Sequence, residues 1–110
     1  LWLRFKPGVD WSGLEDIRVT GWQRKLHIFQ VPFYYVDYGL AQLGAAQVWA
    51  NSMRDQAGAV AAYRKALSLG GTVSIPQFFK AANAEFKFDS GTMKGLVDLI
   101  EEQINELEHV

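Results

Sequence analysis

Apolar residues recur along this chain at spacings of three and four, the period at which side chains share one face of an α-helix. The clearest case lies near the C-terminal end, where Met93, Leu96, Val97, Ile100, Ile104 and Leu107 form one stripe. Glu101, Glu102, Gln103 and Glu106 fall mostly on the wet side of the same segment, as an amphipathic helix requires. Asp89 or Ser90 is placed to cap it, and the pattern carries it to about Leu107. Val60, Tyr63 and Leu67 predict a helix over 57–69, closed by Gly70-Gly71. Ser74 is a candidate N-cap for a short helix over 75–82, with Pro76 in the first turn, where a missing N–H costs nothing.

The N-terminal half is less regular. Residues 1–9 read as extended or irregular, with a turn at Pro7-Gly8. Ser12 and Glu15 have the spacing of a capping box and predict a helix start. Trp22, Leu26 and Phe29 then form an apolar stripe, weakened at Gly21 and ended or kinked before Pro32. A second helix is expected from Pro32-Phe33 to Asn51 or Asp55. It is rich in small residues, and each of Gly39 and Gly44 costs a helix about 1 kcal/mol relative to alanine. Such a cost implies close approach by a backbone or a ligand. No segment shows convincing strand alternation. The expected fold class is all-α, a small bundle of about four to five helices.

Composition narrows the function. The 110 residues amount to about one small domain. Seven Phe, four Tyr and four Trp are more rings than a small domain buries easily, so some should face a ligand, a partner or further protein. The net charge is −1, from 11 basic and 12 acidic residues, which offers nucleic acid no electrostatic attraction. With no cysteine there are no disulfides, thiolate metal sites or cysteine nucleophiles. The apolar runs are too short for a membrane-spanning helix. Residues 1–9, with Arg4, Lys6 and Pro7, do not read as a secretory signal. A cytoplasmic location fits these features. The chain opens on Leu1 rather than Met, as a processed chain or a piece of a longer protein would.

Candidate chemistry concentrates at His27 and the aromatic run Phe33-Tyr34-Tyr35-Val36-Asp37-Tyr38. On a helix Tyr34 and Tyr38, or Tyr35 and Tyr38, would share a face. Three phenols and an imidazole near one helix start form a compact set of hydrogen-bond donors. Such a set can hold a peptide backbone or stabilise an oxyanion formed at an amide carbonyl. The same residues also suit an amphipathic core whose hydroxyls reach the surface. Residue types do not decide between these.

The run Gly21-Trp22-Gln23-Arg24-Lys25-Leu26-His27, followed by Pro32-Phe33-Tyr34-Tyr35-Val36-Asp37-Tyr38-Gly39-Leu40-Ala41-Gln42-Leu43-Gly44, resembles the C-terminal part of oligoendopeptidase F. That family belongs with the thimet-oligopeptidase-like zinc peptidases. The resemblance extends through Phe5-Lys6-Pro7, Val9-Asp10-Trp11 and Ser74-Ile75-Pro76, and is most specific over 22–44. It implies that residues 1–110 are a C-terminal fragment of the catalytic domain of a two-lobed, mostly helical enzyme. That enzyme would enclose a channel for short peptides and use zinc held by a His-Glu-x-x-His helix and a further Glu. It implies catalytic roles in stabilising the tetrahedral intermediate for His27, Tyr35 and Tyr38, and substrate binding for Tyr34 and Phe33.

The departure from the family pattern is the metal site. The only histidines are His27 and His109, and position 31 is Val, so no i, i+4 histidine pair exists. This chain is therefore expected to bind no zinc and to be inactive by itself. Its expected partners are an oligopeptide substrate and the metal-site lobe of the same peptidase, with neither nucleic acid nor membrane. Uncovered aromatic surface would also allow the isolated chain to form homo-oligomers. The alternatives are a non-enzymatic helical module that binds a protein or peptide, and a small-ligand bundle using the tyrosines.

Overall fold

The computed structural model describes residues 1–109, which form helices, turns and loops with no strand among them. The all-α expectation holds. Among the described residues there are seven α-helices and one 3-10 turn rather than four or five helices, because the N-terminal segment breaks into short pieces. The chain divides into two compact units, Leu1–Asp37 and Tyr38–Val110.

The first unit carries α1 (Trp2–Phe5), α2 (Glu15–Thr20), a 3-10 turn (Gly21–Arg24) and α3 (Leu26–Phe29). Residues 1–9 are thus not wholly irregular: α1 precedes the turn at Pro7-Gly8. The Ser12–Glu15 capping box does not form. Ser12 donates instead from its N–H and hydroxyl to the Asp10 carboxylate, at 2.9 and 2.7 Å, an Asx-type turn that competes with capping. These bonds hold the Asp10 carboxyl below its ordinary range. Glu15 accepts from the Gly13 N–H at 3.2 Å, Gly13 turns the chain at φ +75, and α2 starts only at Glu15.

At Gly21 the α-helix gives way to the 3-10 turn. The stripe survives the break: the Trp22 and Phe29 rings lie 5.8 Å apart. Elsewhere in the unit Trp2 meets Trp11 at 6.0 Å. The Trp11 indole N–H is buried there with no acceptor among the described residues. None of the four helical pieces has a buried residue.

The helix expected from Pro32-Phe33 begins later, as α4 (Val36–Arg54). Phe33 has φ +68, left-handed backbone that an α-helix cannot contain. Residues 31–35 are therefore a bend and turn, and the helix starts after them.

Three further helices follow: α5 (Gln56–Leu69), α6 (Ile75–Ala81) and α7 (Ser90–Glu108). Their bounds follow the sequence pattern closely, because their caps are local. Asp55 accepts from the Gly58 N–H at 3.0 Å, Gln77 accepts from the Ser74 N–H at 3.1 Å, and Asp89 accepts from the Thr92 N–H at 3.0 Å. Gly70 ends α5 at φ 52.

The core of the second unit is Leu43, Ala59, Ala66, Ala82 and Ala84. Small residues let the elements approach closely. A Cβ on Gly44 would lie 2.9 Å from the Phe79 ring, so that glycine makes room for an aromatic side chain, neither backbone nor ligand. A Cβ on Gly39 would meet nothing within 4 Å, and no close approach accounts for it. The Gln47 amide grips the backbone of Glu85 from both sides, donating to its carbonyl at 2.9 Å and accepting from its N–H at 2.8 Å. Asn51 donates to the Asn83 carbonyl at 2.8 Å. These bonds tie the segment after α6 to α4, and Phe79, Phe86 and Phe88 stack edge to face along it. No helix of the described residues is long and apolar enough to cross a membrane.

Candidate functional site

His27 is the half-buried residue of α3, while its neighbours Leu26, Ile28 and Phe29 are exposed. Two tyrosines from the following turn enclose its ring. Tyr34 stacks on the imidazole with centroids 6.2 Å apart and planes 6° apart. Tyr35 meets it edge-on at 5.2 Å and 74°. The turn at Phe33 makes this possible, because a helix continued through 30–35 would hold Tyr34 and Tyr35 about two turns, roughly 10–12 Å, along its axis from His27. Phe33, at the apex, is 95% exposed. A bulky residue at positive φ is rare and costs of order 1–3 kcal/mol, so the local fold accepts strain where the rings converge.

Of the residues singled out in the sequence, His27, Tyr34 and Tyr35 are gathered in the first unit. Tyr34 and Tyr35 stand in the turn before α4, not on a helix face shared with Tyr38. Tyr38 lies in the first turn of α4, is half exposed, and belongs to the second unit. Phe33 makes the turn. Three rings thus form the cluster, where the sequence pattern had offered three phenols and an imidazole near one helix start.

The first unit also holds an apolar pocket of about 760 Å³ that Tyr35 lines together with Trp2, Trp22 and Ile28. Lys6, Arg18 and Lys25 join the lining, and no carboxylate does. Lys6 sits over the Trp2 ring at 5.5 Å, a cation–π arrangement. The pocket suits a ligand with an apolar body and a negatively charged end. Trp2, Arg18 and Lys25 were not singled out in the sequence. The signal was there in the surplus of rings beside basic residues, but spacing alone does not bring residues 2, 18, 25 and 35 together.

His109 follows α7 and its Nδ1 lies 2.7 Å from the Asn105 carbonyl oxygen. Among the described residues no group of three or more His, Asp or Glu side chains is arranged to hold a metal ion. The chain matches no protein-family model, no curated protein and no solved structure.

Proposed function

We propose that this chain is the substrate-channel segment of a cytoplasmic zinc oligopeptidase resembling oligoendopeptidase F. The observation that carries the reading is the His27 imidazole enclosed by Tyr34 and Tyr35, beside a pocket that Tyr35 also lines. Packed rings hold their donor groups in fixed directions, which is what stabilising a developing oxyanion demands. In this reading His27 and Tyr35 donate to the carbonyl oxygen of the scissile amide, and the resemblance alone gives Tyr38 a catalytic role. Tyr34 and the outward Phe33 contact the peptide. The pocket takes an apolar side chain, and Arg18 and Lys25 attract a carboxylate of the peptide.

The residues present do not fit a zinc site. His27 and His109 lack the i, i+4 spacing, and among the described residues no group of three or more His, Asp or Glu is arranged to hold a metal ion. The metal and the base that activates water belong, in this reading, to residues outside the chain. The isolated chain is then a wall of the channel and not an enzyme.

The test has two parts. The reading frame upstream of Leu1 should encode a His-Glu-x-x-His segment, and a gene that starts near Leu1 would end the proposal. In the longer enzyme, Tyr35→Phe and Tyr38→Phe should each lower kcat, on the order of 10²-fold, more than they raise KM. An unchanged kcat in both variants would return the tyrosines to a packing role. The second reading, a non-enzymatic helical interaction module, draws support from the exposed apolar ridge of α7, and the upstream sequence separates the two.

A further inference from the structure

The pocket of the first unit sorts the charges around it. That unit carries five basic side chains, Arg4, Lys6, Arg18, Arg24 and Lys25, and four acidic ones, Asp10, Glu15, Asp16 and Asp37. Lys6, Arg18 and Lys25 line the pocket, and none of the four acids does. In a unit whose charges nearly balance, this separation sets a positive potential over an apolar cavity. The volume, about 760 Å³, falls in the range of small-molecule sites.

The burial pattern of α2 is a second, independent observation. Ile17 and Val19 are 56% and 62% exposed, while Arg18 between them is half-buried. A helix packed on an apolar core does the reverse. Taking a guanidinium partly out of water is costly unless an anion meets it. No carboxylate among the described residues pairs with Arg18. Lys6 is also held at the wall, its Nζ 5.5 Å from the centre of the Trp2 ring, and an ammonium there keeps donors for a further acceptor.

We propose that this pocket is a binding site for a small organic anion, a single carboxylate on an apolar body. Arg18 and Lys25 meet the carboxylate, and Trp2 and Trp22 pack against the body. A peptide ending in a hydrophobic residue and a free aliphatic acid present this same chemistry. The peptide case deepens the peptidase reading, which places a side chain in this pocket. The site itself needs no cleavage, so ligand binding and the reading frame upstream of Leu1 test the two ideas separately.

The full chain is titrated with octanoate, with N-acetyl-alanyl-leucine and with the neutral amide of each. Binding is followed through the indole N–H signals of the tryptophans in two-dimensional NMR, where Trp2 and Trp22 should shift and Trp49 should not. At least one acid should bind about tenfold or more tightly than its amide, as a charged hydrogen bond predicts, and added salt should narrow the gap. Arg18→Gln should remove most of that preference and Lys25→Gln part of it. Arg24→Gln, a nearby cation outside the lining, should leave it unchanged. Lys25 is exposed, so its variant reports on the site even if Arg18→Gln disturbs the unit. Octanoate binding as tightly as the peptide acid supports the proposal with a free acid as ligand. Binding of the peptide acid alone supports it with a peptide C-terminus. Equal binding of acids and amides, no binding of either acid, or an equal loss in Arg24→Gln would each overturn it.

Discussion

Gly44 and Gly39 occupy the same helix and have opposite surroundings. The Phe79 ring presses against Gly44, and Phe79 is itself held edge-on by Phe86 at 5.2 Å. Alanine at 44 must displace that ring, an overpacking cost of about 1–3 kcal/mol, against a gain in helix propensity of about 1 kcal/mol. Overpacking wins, and Gly44→Ala should lower the urea midpoint. Gly39 faces open space, so Gly39→Ala should raise the midpoint by up to about 1 kcal/mol. Like-signed changes in the two variants would remove the ring contact as the reason for Gly44. The sequence shows that both glycines are costly to the helix but not which one makes room for a neighbour. That depends on a side chain 35 positions away. The same limit applies at the candidate site: the aromatic string is visible in the sequence, yet its convergence on His27 depends on positive φ at Phe33, which no residue-type preference announces.

Elements were legible where their ends are set by neighbours in sequence. Asp55, Ser74 and Asp89 each meet a group three residues on, and α5, α6 and α7 start where the pattern places them. The N-terminal segment was not legible, because Asp10 takes the hydrogen bonds that Ser12 would need for capping. The cap of α7 also makes a pH prediction. Hydrogen bonds from the Thr92 backbone and hydroxyl hold the Asp89 carboxyl below its ordinary value of 3.8. A carboxyl lowered in the fold adds stability that is present above the unfolded value and lost as pH falls through the folded one. In the wild-type chain this cap's contribution to the helicity of α7 should therefore decline below about pH 4. Asp89→Asn, which keeps a capping oxygen without the charge, should lose that part of the decline. If acid titration of the two proteins gave superimposable helicity curves, the cap would not be the titrating element.

On the scale of the whole chain, the surplus of rings already pointed outward. The structure bears this out for Trp22, Phe33, Tyr34, Tyr35, Tyr38, Trp49 and Phe88, each at least 41% exposed, and no large side chain among the described residues is fully buried. Stability is then distributed unevenly between the units. In the second, Ala66 is wholly inaccessible and Ala59 nearly so, and both lie on α5, between the Asp55 cap and the Gly70 terminus. In the first, α1, α2 and α3 are four to six residues long and bury none of them. Helices that short do not persist in water without packing. Amide exchange reports the free energy of opening each segment. Amides of α5 should exchange at least about tenfold more slowly than those of α2 and α3, a gap of about 1.4 kcal/mol. If a longer protein normally covers the first unit, placing the chain in that context should slow α2 and α3 far more than α5. Equal protection of α2, α3 and α5 in the isolated chain would mean that the first unit is stabilised by something other than burial, and the argument from exposed rings to a missing covering surface would fail.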